Sequence, residues 1–278
     1  MAKTPTKSKR QEEDLLPGVR KIGDIERPRS TVLYGRSGTG KTTLAASWPK
    51  PILYLDIRDE GTDSIADVDR IDVKEITDSD EMDEVLLWLI RNPGKYKTVI
   101  LDTVSQLQEM VVEEVAKEAK KKLKGKLPGD FGTLTKQDWG KVSSRLKSWI
   151  IDFRDLPMET VLIAQDRMFN ASDDESADDN VEQLAPEIGP RLMPSVASVL
   201  NAAVSIIGNT FIRVRHVKKP DPKRAGKTKL VEKKEYCLRL GPSSLYITKV
   251  RKPKEHTAPD FIVDPTYEDL IAVIKGES

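Results

Sequence analysis

Gly35-Arg36-Ser37-Gly38-Thr39-Gly40-Lys41-Thr42-Thr43 has the pattern G-x-x-x-x-G-K-T, and the reading of the whole chain starts from it. Glycines at 35, 38 and 40 admit backbone angles that turn successive amide N–H groups inward around an anion. Lys41 then brings a point charge to the outer phosphates of a nucleotide, and the Thr42 hydroxyl is placed to ligate Mg²⁺. Arg36, Ser37, Thr39 and Thr43 fill out the expected phosphate loop. A glycine-rich turn with an incidental lysine would not need particular flanks. Here Ser30–Tyr34 (STVLY) reads as an apolar strand, and a helix is expected over Lys41–Trp48, stopped by Pro49. The positive end of that helix dipole would add to the cradle.

The chain of 278 residues is long enough for one large domain, or one domain with appendages. A charged content of 33% and the lack of any apolar run near the roughly 20 residues of a membrane span predict a soluble protein. The N-terminus has no apolar signal core. Cys237 is the single cysteine, which excludes an intramolecular disulfide and suits a reducing cytoplasm. His216 and His256 offer no His/Cys metal set, so the metal expected is the Mg²⁺ that accompanies a nucleotide. The net charge of +1 hides an asymmetry: residues 211–254 hold fifteen Lys/Arg and three acids, a balance of +12 against -11 elsewhere. That segregation points to a polyanion or an acidic neighbouring subunit, or else to a solvated lysine-rich hairpin.

Residues 1–29 lack apolar periodicity and read as a flexible arm. A second strand, Pro51–Asp56 (PILYLD), runs into IRDEGTDS. Asp56, Asp59 and Glu60 therefore stand at or beyond a strand's carboxyl end, where open α/β sheets bind ligands. Asp78, with Glu81 three residues on, opens a helix whose stripe is Met82, Val85, Leu86, Leu89 and Ile90. Lys97–Asp102 (KTVILD) is a buried strand ending in an acid, the candidate Mg²⁺-associated carboxylate, and Thr103 follows it. A helix over Val104–Leu123 ends in the lysines of 117–126. After a loop, Asp138 is expected to cap a helix with Trp139, Val142, Leu146, Trp149, Ile150 and Phe153 inward. Thr160–Ala164 is the next strand, directly followed by Gln165. The stretch Ala171–Gly189 has seven acids and no basic residue and reads as a long loop. Ala202–Ile207 resumes strand character, and Phe211–Val217, Lys234–Leu240 and Leu245–Val250 read as a basic β meander. Asp264-Pro265 is expected to start a last short helix. The domain reading is an arm to residue 29, a core over 30–252 that includes the meander, and a tail over 253–278.

VLYGRSGTGKTTLA, VILDTVSQL and VLIAQDRM together resemble the RecA-core ATPases of bacteriophages, small recombination and single-strand-annealing proteins, over about Thr31–Lys252. The resemblance implies an α/β core with a mainly parallel sheet ordered 5-1-4-3-2, binding ATP and Mg²⁺. In such a core Asp102 ends the Walker B strand, and Gln165, on a fourth strand lying between the first and third, senses the γ-phosphate. The family's catalytic glutamate stands in Asp-x-Glu-Gly-Thr. Here DIRDEGT is two residues longer, so Glu60 is the nearer match and Asp59 the alternative register. Lys249 and Arg251, in ITKVRKP, fall two apart on a predicted strand and so share a face. By resemblance they would reach the γ-phosphate of a neighbouring subunit in a ring or filament. The implied partners are single-stranded DNA, further copies of the chain, and a single-strand-binding or other recombination protein. One departure is plain: the acidic stretch follows Gln165 where relatives hold DNA, so contacts would fall on the 117–126 lysines, Arg167 or the basic meander. Two other functions fit the same loop, a small-molecule phosphotransferase and an ATP-gated DNA-binding scaffold without turnover.

Overall fold

The computed structural model describes residues 28–58, 61–122, 134–169, 186–220 and 228–277. Its centre is a parallel sheet of β1 (Ser30–Tyr34), β2 (Ile52–Asp56), β3 (Ile71–Glu75), β4 (Thr98–Asp102), β5 (Glu159–Ala164) and the start of β8 (Ile206–Pro220). Their spatial order is β8-β1-β5-β4-β2-β3. Counting β4, β5 and β8 as third, fourth and fifth, this is the expected 5-1-4-3-2, with β3 added beyond the second strand. β3 (IDVKE) escaped the sequence reading because, pairing with β2 alone, it is mostly exposed and carries no apolar run.

Inner strands are apolar on both faces because both are covered. Val32, Leu53, Leu55, Val99, Leu101 and Leu162 point to a core shared with α2 (Ser79–Arg91), α3 (Val104–Lys122), α4 (Lys136–Arg154) and α5 (Pro194–Ala203). Leu33, Ile52, Tyr54, Ile100, Val161 and Ile163 alternate with these and face α1 (Lys41–Ala45) and α6 (Tyr267–Lys275). The segment expected as a C-terminal tail thus packs on the sheet. Leu270 and Ile274 join the second core, the Trp48 and Tyr267 rings lie 5.3 Å apart, and β11 (Phe261–Val263) pairs with β9 (Thr228–Arg239).

Helix ends and faces correct several expectations. Thr135, not Asp138, caps α4; Asp138 is its third residue and closes a capping box. Likewise Thr266 caps α6, so Pro265 precedes the cap instead of starting the helix. Asp78 accepts from the Glu81 amide as expected, whereas the Glu81 carboxylate turns to Thr77. Ile90 and Trp139 are exposed, each lying at the margin of its helix's apolar stripe. Ala202 and Ala203 close α5, a helix the sequence reading did not separate from the strand after it. The meander is also rearranged. β8 is one continuous strand that leaves the sheet as an antiparallel ribbon with β9, while β10 is only Lys249–Val250 and pairs with the other end of β8. The acidic stretch joins β6 (Asp166–Phe169) to β7 (Glu187–Pro190), which pair antiparallel. Its residues to 185, residues 1–27 of the expected 1–29 arm, residues 123–133, and Asp59 and Glu60 lie outside the described residues. Among the described residues, no helix is long and apolar enough to cross a membrane.

Candidate functional site

The phosphate loop leaves the carboxyl end of β1, the centre of the sheet. Gly35 has φ 157°, and a Cβ there would stand 2.4 Å from the Thr210 carbonyl oxygen of β8, so a side chain is sterically barred. Gly40, with φ 83°, turns the chain into α1 against the Tyr236 ring, 3.2 Å from where its Cβ would be. Thr39 fastens the loop, donating to the Arg36 carbonyl at 2.8 Å and sharing a 2.7 Å hydroxyl bond with Thr210. The Lys41 ammonium, nearly buried, donates to the Gly35 and Arg36 carbonyls at 2.9 and 2.8 Å. It is thus held across the mouth of the loop. α1 spans only five residues, shorter than expected, so amides and Lys41 outweigh the helix dipole as the source of positive potential.

Ser37 to Leu44 line a cavity of about 700 Å³. Gly61, Ser64, Asp102, Thr103 and Gln165 line it toward β4, and Thr210, Tyr236, Asp264, Pro265 and Thr266 toward β9. β4 and β9 stand two places from β1 on opposite sides. At about 4.8 Å per strand the cavity therefore runs across roughly 19 Å of sheet edge. Asp102 is buried at the end of β4, and its Oδ2 accepts from the Thr42 hydroxyl at 2.9 Å and from the Tyr54 phenol at 2.5 Å. Burial, then the Asp102 charge, pushes the Tyr54 phenol far above its usual range, so it stays a donor. A threonine hydroxyl beside a carboxylate on the cavity floor is a hard-oxygen donor pair. It fits a Mg²⁺ ion that takes its remaining ligands from phosphate and water.

Residues 27–251 match the model of the AAA domain family. The chain belongs to that family. No curated protein matches the sequence. Among solved structures this AAA domain is similar to the flagellar accessory protein FlaH from Methanocaldococcus jannaschii, at 8% identity over 85% of each chain and a TM-score of 0.38. It is also similar to the RadB recombinase, at 13% identity over 74% of this chain and 86% of that one, again with a TM-score of 0.38. Likenesses at that level carry no argument about function.

Within the AAA domain, Gln165 lines the cavity directly after β5. Its side-chain oxygen accepts from Arg191 Nη1 at 2.6 Å, and Arg191 Nη2 reaches Glu109 at 2.7 Å. The backbones bond too, Arg191 N to Gln165 O at 2.7 Å, so the two residues close the base of the β6–β7 hairpin. Arg191 was missed because it stands beyond the acidic stretch in sequence. No local motif ties it to Gln165. Tyr236, Asp264, Pro265 and Thr266 were missed for the same reason, since only sheet pairing carries them to the phosphate loop.

Lys249 and Arg251 do not line the cavity. Lys249 Nζ donates to the Asn201 and Ala202 carbonyls at 2.7 and 3.1 Å, and Arg251 donates to Ala202 at 2.9 Å. Two cations thus share one face because they meet the carbonyl-rich, negative end of α5. Burial and the neighbouring Arg251 charge hold the Lys249 ammonium below its ordinary value. Their expected role across a subunit boundary rests on the family resemblance alone.

Proposed function

We propose that this AAA domain binds and hydrolyses ATP with Mg²⁺ and couples that cycle to single-stranded DNA in recombination or annealing. The observation that carries the ATP reading is the convergence of Lys41, Thr42 and Asp102 on one cavity beneath a glycine loop. Phosphoryl transfer asks chiefly for positioning and charge neutralisation, and this loop supplies both. The loop amides and Lys41 hold the β- and γ-phosphates, while Thr42 and Asp102 organise the metal. Glu60 orients the attacking water, and Gln165 reports the γ-phosphate. Mg²⁺, when bound, neutralises charge on the phosphate oxygens.

The nucleoside lies at the opposite end, against Tyr236 and the 264–266 turn. Asp264 turns the chain there with φ 48°, a left-handed backbone that aspartate tolerates better than most side chains, and its amide donates to the Tyr236 carbonyl at 2.7 Å. Tyr236→Ala is therefore expected to weaken ATP by about 1–3 kcal/mol, the worth of stacking one base on an aromatic ring. Affinity for inorganic triphosphate should stay unchanged, as isothermal titration with both ligands would show. Equal loss for both would place the base elsewhere.

The DNA reading is supported by the ribbon. From Phe211 to Pro220, β8 pairs only with β9 among the described residues, a projection of about 30 Å. Arg213, Arg215 and Lys233 crowd one face around the buried Glu235, and Lys218 and Lys234 stand on the other. Single-strand affinity should fall with salt by about 0.7 log units per contact per log unit of salt. Reversing the charge of Lys218, Lys219, Lys223 and Arg224, the latter two outside the described residues, should flatten that slope. ATP turnover measured with and without single-stranded DNA over the same series tests the coupling. Turnover indifferent to DNA, together with binding indifferent to salt, would refute the DNA half of the reading and leave the ATP half standing.

A further inference from the structure

Tyr54 has more functional groups than its packing requires. It stands in the middle of β2, wholly buried, and alternation turns its ring to the α1–α6 face among Leu44, Trp48 and Ile100. A phenylalanine would fill that place equally well. The added hydroxyl has one evident use. β2 pairs with β4 so that Tyr54 is opposite Ile100 and Asp56 opposite Asp102, which puts Asp102 diagonally across from Tyr54 on the same face. Diagonal neighbours lie within reach of an aromatic side chain, and Tyr54 Oη meets Asp102 Oδ2 at 2.5 Å.

Thr42 Oγ1 donates to that same oxygen at 2.9 Å, so its proton is committed and its lone pairs are turned away from Asp102. A buried carboxylate needs such donors to hold its charge. The junction is roofed by glycine: a Cβ on Gly61 would stand 3.7 Å from Thr42 Oγ1, 3.8 Å from Tyr54 Oη and 3.9 Å from Asp102 Oδ2. We propose that Tyr54 is a positioning residue for the metal side of the site. Its phenol fixes the Asp102 carboxylate, and through it the Thr42 hydroxyl, in the orientation that receives Mg²⁺. The inference rests on the ATP reading above. Phosphate capture by the loop amides and Lys41 does not pass through Tyr54, so the two contributions separate experimentally.

The test is nucleotide affinity by isothermal titration, with Mg²⁺ and with chelator, for the wild type, Tyr54→Phe, Thr42→Ala and the double variant. Tyr54→Phe should leave metal-free affinity within about twofold, since that path is independent of the junction. The gain in affinity from Mg²⁺ should shrink about tenfold or more, the worth of one hydrogen bond to a charged group. In the Thr42→Ala background Tyr54→Phe should add little, because both act through one oxygen. A second readout does not depend on the variant's stability: the Tyr54 hydroxyl proton resonance of the wild type should shift when Mg²⁺ joins bound ADP. Wild-type Mg²⁺ dependence in Tyr54→Phe, equal losses with and without metal, strictly additive losses, or a phenol resonance blind to Mg²⁺ would each overturn the inference while sparing the ATP reading. A wild type whose nucleotide affinity ignores Mg²⁺ altogether would overturn both.

Discussion

Lys41→Ala is expected to abolish ATP turnover and to weaken ATP binding roughly 30- to 4,000-fold, from the about 2–5 kcal/mol lost when one partner of a buried charge pair is removed. The ammonium lies beside the loop that would hold the β- and γ-phosphates, and no second cation of the loop can replace it there, since Arg36 does not line the cavity. Its loss also frees the Gly35 and Arg36 carbonyls, which the side chain now binds at 2.9 and 2.8 Å. The loop is exposed to solvent from Arg36 to Gly38, so water can take the place of the missing donor and the fold should survive. The measurements are titration calorimetry with ATP, phosphate release, and a thermal melt. Turnover at the wild-type rate would remove the catalytic centre from this loop.

The second large effect separates binding from chemistry. Glu60→Gln should retain MgATP affinity while turnover falls about 10²–10⁴-fold, the usual contribution of a positioned general base. Glu60 lies outside the described residues, but its neighbour Gly61 is placed by the structure at the Thr42–Asp102 junction, its would-be Cβ 3.7 Å from Thr42 Oγ1. A carboxylate one residue before that junction is close in sequence to the metal side of the cavity, where an attacking water must be held. Single-turnover phosphate release in parallel with calorimetry would separate the two properties. Should Asp59→Asn silence turnover with binding intact while Glu60→Gln remains active, the catalytic register moves by one residue.

Much of this architecture was legible without coordinates because its signals are local. The glycine loop, the strand before it and the acid-terminated strand Lys97–Asp102 each declare themselves within about ten residues. A parallel strand covered on both faces must be apolar throughout, so β1, β2, β4 and β5 read directly. β3 and α5 did not. An edge strand has one neighbour and needs no apolar run, and the apolar residues of α5 run straight on into those of β8. Ile90 and Trp139 were misplaced because apolar periodicity gives the direction of a buried face but not its width. Thr135 was passed over for Asp138, an able capping residue three positions on, and Thr266 for the Asp264-Pro265 pair just before it; hydrogen-bond geometry alone decided both.

By itself, then, the sequence determined the glycine loop with its lysine, Asp102 as the buried acid, and Gln165 at the end of a core strand. These are properties of short stretches, set by backbone conformational preference and by alternation of side chains. Only the tertiary structure decided that Tyr54 holds Asp102, that Arg191 holds Gln165, and that Tyr236 with the 264–266 turn walls the far end of the cavity. It also decided that Lys249 and Arg251 cap α5. Each of these pairs lies far apart along the chain, and sheet order and register bring them within reach. Local propensity contains no information about which distant strands will be neighbours. Here that choice came from burying two apolar faces of one sheet at once.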